Sequence, residues 1–278
     1  MSPSRAAIFV GFDSAWADRD GAPGAICSVV FDGDRFTEFR SPESVRFERA
    51  LAYIKSVQRS DLPTLVALDQ PTIVPNAEGM RPVEKAVASL ISWIGGGVQP
   101  ANRGKLALFG PQAPIWIFLK NLRAEENPET ARTAIGGLHL MEVFPALALA
   151  SLEQTFFGRL KGPRYNPSRR KTFKIEDWFA VIAAARKEAM RLHFDCECLF
   201  EWLDRLADVG KPKKTDQDCL DAVLCLLIAI RWRLGTRAES VLVGDLENGY
   251  IVAPVSAEVI ERLAGNAKRI GVPVHAAG

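Results

Sequence analysis

An apolar run, Ala6-Ala7-Ile8-Phe9-Val10-Gly11-Phe12, stops at an acid, Asp13. Seven residues without a polar break read as a strand buried on both faces, at the centre of a sheet. Such a strand needs cover on each side, and the chain is long enough to supply it. With 278 residues, 48% of them hydrophobic, it can build one sizeable core. No Pro/Gly/Ser-rich or strongly charged linker divides the sequence, so one α/β domain over residues 1–278 is expected.

The pattern that follows fits a mixed sheet. Residues 25–31 and 35–39 are strand-like and flank Asp32-Gly33, a strong hairpin signal, so the first three strands form an antiparallel meander. Residues 41–60 take a helical period through Val45, Leu51, Ile54 and Val57, with Ser41 and Pro42 at the N-terminal positions. Residues 64–71 form a second buried strand, carrying Asp69 and stopped by Pro71. The intervening helix returns it parallel to the first by a right-handed crossover. Residues 72–135 read as an insertion with a helix over 82–94, ended by Gly95-Gly96-Gly97, and one more around 113–122. A strand over 137–145 carries Glu142 near its end, and residues 146–157 look helical. Residues 159–174 hold seven Lys/Arg and no acid. Helices are expected at 175–192, 197–208 and 217–233. A hairpin over 240–254 and a helix over 256–269 make a C-terminal extension across 240–278.

Several function classes drop out. A formal charge of +2 and a pI near 8.3 do not by themselves mark a nucleic-acid binder. The apolar runs fall short of the roughly 18 residues a membrane span needs, and the N-terminal segment lacks a signal-peptide pattern. Five cysteines at irregular spacing argue against a disulfide framework and for a reducing cytoplasm. With Cys196 and Cys198 so close and only three histidines, a structural zinc site is not expected.

Asp13, Asp69 and Glu142 each end a buried strand. Parallel strands gather those ends on one edge, where sites form. One such acid commonly caps the next turn; three, joined by Asp218 and Asp221, point to a site. Within "TDQDCLDAVL", Thr215 or Asp216 can be the N-cap, and Asp218 suits the first turn. Asp221 shares a face with Leu224, Cys225 and Ile228. A carboxylate buried there without partners costs at least several kcal/mol, so a Lys/Arg or a metal must offset it. An all-oxygen donor set suits Mg²⁺ or Mn²⁺. Cations stand where a phosphate substrate would need them: Arg81, Lys211, Lys213 and Lys214, with Arg169, Arg170 and Lys171 in the basic loop. Tyr165 and Phe173 in that loop offer stacking surface for nucleic acid.

Strand–strand–strand–helix–strand order, with "GFDSAW", "ALDQP" and "DCLDA" carrying the acids, resembles the ribonuclease H-like fold and its resolvase-like branch. "MEVFP", the Tyr165–Lys171 loop and the Gly249–Pro254 strand resemble, more closely, the DUF429 family of ribonuclease H-like predicted nucleases. The resemblance implies a five-stranded mixed sheet in the order 3-2-1-4-5, flanked by helices. It also implies a cytoplasmic two-metal nuclease acting on nucleic acid, with two Mg²⁺ or Mn²⁺ ions. Asp13 would bridge the ions, Asp69 and Asp221 would complete their ligand sets, and either Asp218 or Glu142 would supply the remainder. Arg81, Arg170, Lys171 and Lys214 would hold phosphate. Two rivals stand beside this: a non-catalytic module whose acids sit apart or pair with Lys/Arg, and an actin- or sugar-kinase-like phosphotransferase. The latter needs a second "G-x-D" strand that the chain lacks.

Overall fold

Strand β1 (Ala7–Asp13) is buried along its whole length and lies at the middle of a five-stranded sheet. The computed structural model describes residues 5–276. The first four residues of the N-terminal segment and the last two of the C-terminal extension lie outside the described residues. β2 (Gly24–Phe31) pairs antiparallel with β1, and β3 (Phe36–Val45) pairs antiparallel with β2. After helix α1 (Phe47–Val57), β4 (Thr64–Leu68) runs parallel to β1. Helices α2 (Pro82–Trp93), α3 (Leu106–Phe109), α4 (Pro114–Leu122) and α5 (Pro128–Thr133) lead to β5 (Leu138–Glu142), which is parallel to β4. The strand order is 3-2-1-4-5, as expected from the sequence.

Helices α6 (Pro145–Leu152), α7 (Ile175–Arg191), α8 (Glu197–Ala207) and α9 (Lys214–Leu234) follow. The chain then forms a hairpin of β6 (Ser240–Asp245) and β7 (Gly249–Pro254), helix α10 (Ala257–Ile270) and the short β8 (Val274–His275) against β6.

Alternation along the central strands divides the core. Ala7, Phe9, Leu65, Ala67 and Met141 pack with α7, α8 and α9 on one face. Ile8, Val10, Phe12, Val66, Leu68 and Leu140 pack with α1 and α4 on the other. A third cluster joins α2 to the terminal hairpin and α10. Helix α9 is apolar nearly all round because it is covered on all sides, by the sheet and by neighbouring helices.

Three expectations change. The helix expected from Ser41 begins at Phe47, because residues 41–45 continue β3. Between the Ile26–Glu43 and Ser28–Arg40 pairs the ladder shifts by one residue, so Ser41 and Pro42 lie in a bulge of an edge strand, where proline's lack of an N–H is tolerated. The insertion holds α3 and α5 besides the helices expected there. Finally, α9 begins at Lys214 rather than Gln217. Neither Thr215 nor Asp216 is its N-cap: Asp216 lies inside the first turn and accepts the Lys213 backbone N–H at 2.7 Å.

Gly11 sets how close α9 can come. A Cβ there would lie 2.1 Å from Ala222 O and 2.4 Å from Leu226 N, both backbone atoms. Gly11→Ala is therefore expected to destabilise the fold by about 1–3 kcal/mol through forced overpacking. Urea unfolding measures this, and an unchanged midpoint would contradict so close an approach.

Candidate functional site

The same alternation decides which acids meet. Asp13 continues the parity of Ala7 and Phe9, and Asp69 that of Leu65 and Ala67, so both face α9. The Asp69 backbone N–H donates to Phe12 O at 2.9 Å, which holds the two strand ends side by side. The loops that follow are tied by a Ser14 Oγ–Gln70 Oε1 hydrogen bond. Ala222 lies over Gly11, so Asp221 and Asp218, just before it on α9, come over the end of β1.

Four carboxylates thus share one buried corner, with Lys214 as the cation among them. The Lys214 ammonium pairs with Asp218 and is held protonated, against its burial, by the charges of Asp13, Asp218 and Asp221. Asp221 accepts from Tyr165 Oη and from Gln217 Nε2, both at 2.7 Å. Among the described residues no donor reaches the carboxylate of Asp13 or Asp69. Burial, followed by the charge of Asp221, pushes both well above the usual carboxylate range, and Lys214 only partly offsets this. Burial pushes Asp221 up to about 6, against the hydrogen bond from Tyr165 and the charge of Lys214.

Glu142 points elsewhere, although its charge still helps raise Asp69. It follows the parity of Leu140 rather than Met141, away from the α9 face. Its carboxylate takes two bonds from Arg81, at 2.8 and 2.5 Å, and one from the Thr72 N–H at 3.1 Å. Arg81 is 1% exposed and also bonds Glu84 Oε1 and Ile73 O. This corrects the expectation that Arg81 holds phosphate: every face of its guanidinium is committed inside the protein. Glu142 correspondingly shares a counter-ion, Arg81, with Glu84, and burial still pushes it up to about 7. Of the two candidates left open for the fourth position, Asp218 acts by its charge on Asp13, Asp69 and Asp221, and Glu142 acts on Asp69.

The basic loop also divides. Arg170 and Lys171 are exposed, as a substrate contact requires. Tyr165 is buried with its hydroxyl on Asp221, so it does not offer the stacking surface expected of it, and Phe173 is half-buried against the core. Sequence reasoning misses Gln217 and gives Tyr165 a different role. Gln217 lies four residues before Asp221, a legible signal once α9 is started at Lys214.

Among the described residues, no three His, Cys, Asp or Glu side chains stand close enough together to hold a metal ion as they are. The donor chemistry nonetheless fits a hard divalent cation. It is all oxygen and excess negative, and two of its carboxylates lack any protein donor. Asp13 and Asp69 would hold the ion with Asp221, and Asp218 could join once released from Lys214.

Residues 11–247 match the family model described as "Protein of unknown function (DUF429)". The chain belongs to the DUF429 family. The match runs from the end of β1 through β6 and takes in all four clustered acids, Lys214, Tyr165 and Gln217. No curated protein and no solved structure matches the chain. Among the described residues of this DUF429 protein, no helix is long and apolar enough to cross a membrane.

Two outcomes follow from the charge imbalance of the DUF429 site. The folded-state pKa values of Asp221 and Glu142, about 6 and about 7, lie above those of the unfolded chain. The fold therefore holds these protons more tightly, and the stability they contribute is lost as pH rises through 6 to 7. Melting in EDTA is expected to drop between pH 5 and pH 8; a flat profile would contradict it. Lys214→Met removes the internal counter-charge. The variant is expected to melt lower than wild type in EDTA at pH 8, and to gain more from Mn²⁺. Saturation at 100 times the dissociation constant adds about 2.7 kcal/mol. Equal Mn²⁺ shifts in both proteins would show that Lys214 does not compete for the site.

Proposed function

We propose that this protein is a cytoplasmic, divalent-metal-dependent nuclease that hydrolyses phosphodiester bonds of nucleic acid, using two Mg²⁺ or Mn²⁺ ions. The observation that carries the reading is the buried corner where Asp13, Asp69, Asp218 and Asp221 meet one lysine, two of the four having no donor. A structural network would give each carboxylate its donors, as Arg81 and nearby backbone N–H groups do for Glu84 and Glu142. Perturbed carboxylates left in excess at a sheet edge are instead the mark of a site that takes up a cation.

The roles divide by position. Asp13 and Asp69 have free carboxylate oxygens at adjacent strand ends and would be the primary ligands. Tyr165 and Gln217 fix the orientation of Asp221, so its ligating geometry is set before the ion arrives. Lys214 balances the site and would give up Asp218 on loading. When bound, the ions would supply an activated water and stabilise the leaving oxygen. Exposed Arg170 and Lys171 would contact backbone phosphates, which makes binding salt-dependent.

A second reading, a non-catalytic binding module, draws support from the Lys214–Asp218 pair. A panel of DNA, RNA, hybrid and branched substrates, each with Mg²⁺, Mn²⁺ or EDTA, separates the two. The nuclease reading expects cleavage of at least one substrate, abolished by EDTA. Binding without metal-dependent cleavage of any of them would favour the module.

A further inference from the structure

Beside the acid cluster lies a cavity of about 320 Å³, walled by the Gly95–Gly97 turn after α2, by Arg164, Asn166 and Arg169 of the basic loop, and by Gln217 of α9. Two features of its lining call for a ligand. First, among the described residues no acid pairs with the guanidinium of Arg164 or Arg169; Asp177 takes only the Arg164 backbone N–H, at 2.7 Å. Two exposed, unpaired guanidinium groups on one wall suit a phosphate. Second, Gln217 is 7% exposed, and its Oε1 is buried without a donor. Its amide cannot turn round to relieve this, because Nε2 is committed to the Asp221 carboxylate, which requires a donor.

We propose that this cavity seats one nucleotide of a single-stranded nucleic acid, with its phosphate on Arg164 and Arg169 and its base or sugar against the wall that Gln217 forms. The volume lies at the small end of ligand pockets and suits one such unit; a duplex cannot enter it. Tyr165 and Gln217 line the cavity and also hold Asp221, so a nucleotide there sits one side chain from the acid cluster. The strand's path to that cluster rests on the nuclease reading; the cavity's ligand does not.

The test is binding in EDTA, which separates it from catalysis. Fluorescence anisotropy of a labelled single-stranded oligonucleotide, DNA and RNA in turn, is competed with nucleoside 5′-monophosphates, inorganic phosphate and duplex. Arg164→Ala/Arg169→Ala replaces exposed side chains and is expected to raise the dissociation constant at least tenfold. Gly97→Phe is a second variant: a Cβ at Gly97 meets nothing within 4 Å, so it partly fills the cavity without a clash at its root, and the same loss is expected. The monophosphate should compete at least tenfold better than inorganic phosphate, and the single strand at least tenfold better than the duplex. No binding by wild type, unchanged binding in both variants, or phosphate competing as well as the monophosphate would overturn the proposal. Should the variants lose binding while wild type cleaves nothing with Mn²⁺, the nuclease reading fails and the cavity stands. Should cleavage depend on Asp13 while both variants bind normally, the reverse holds.

Discussion

Asp13→Asn is expected to lower metal-dependent cleavage on the order of 10³-fold and, in the same protein, to raise stability in EDTA. Loss of activity follows because Asp13 is one of the two carboxylates that no protein donor engages, and an amide cannot replace its charge toward a divalent cation. The gain in stability has a separate cause. Burial, then Asp221 and Asp69, raise the Asp13 pKa well above its usual value, so ionising it at neutral pH works against the fold. The neutral residue is therefore expected to be the more stable of the two at pH 8. The sign reverses at low pH, where wild-type Asp13 is already protonated and the advantage disappears. Cleavage assays and urea unfolding at pH 8 and pH 5 measure both parts. An inactive variant that is also less stable would mean that Asp13 is a structural acid.

Arg81→Met is expected to lower stability by about 3–5 kcal/mol, the range for removing one partner of a buried ion pair. Glu84 and Glu142, both nearly fully buried, lose their shared counter-ion, and Ile73 O loses a donor. Lysine cannot restore the arrangement, since Glu142 is gripped by two nitrogens of one planar group. Because Glu142 sits near pH 7 even beside Arg81, the defect should shrink as pH falls and the orphaned carboxyl takes up its proton. Glu142→Gln in the same background should recover part of the loss. Normal stability with weakened nucleic-acid binding would instead return Arg81 to the role of a phosphate contact.

These two residues show where the sequence was legible. An unbroken apolar run ending in an acid marks a central strand, and two such runs in a parallel pair bring Asp13 and Asp69 together whatever the loops do. Asp221 within an apolar helix face needs a neighbour of opposite charge or a strong donor, and that too can be read without coordinates. Strand parity also carries the separation of Glu142 from the cluster, since "LMEVF" alternates Met141 and Val143 to one side and Leu140 and Glu142 to the other. What the pattern does not carry is the partner of each charge. Arg81 and Glu142 are 61 residues apart, and only the folded chain shows that the arginine turns inward. Tyr165 reads as a stacking surface because its loop is basic, but its hydroxyl finds Asp221 across 56 residues. Capping preferences favour Thr and Asp and so put the start of α9 too late, whereas here Asp216 reaches back to the N–H of Lys213 from inside the first turn.

If the four-acid corner takes up a cation, Mn²⁺ can be located there directly. A crystal of the protein soaked in Mn²⁺ and measured at an energy where manganese scatters anomalously should show density touching the carboxylates of Asp13 and Asp69, with Lys214 displaced from Asp218. Saturating Mn²⁺ with no anomalous density in that corner, and the Lys214–Asp218 pair intact, would contradict the account.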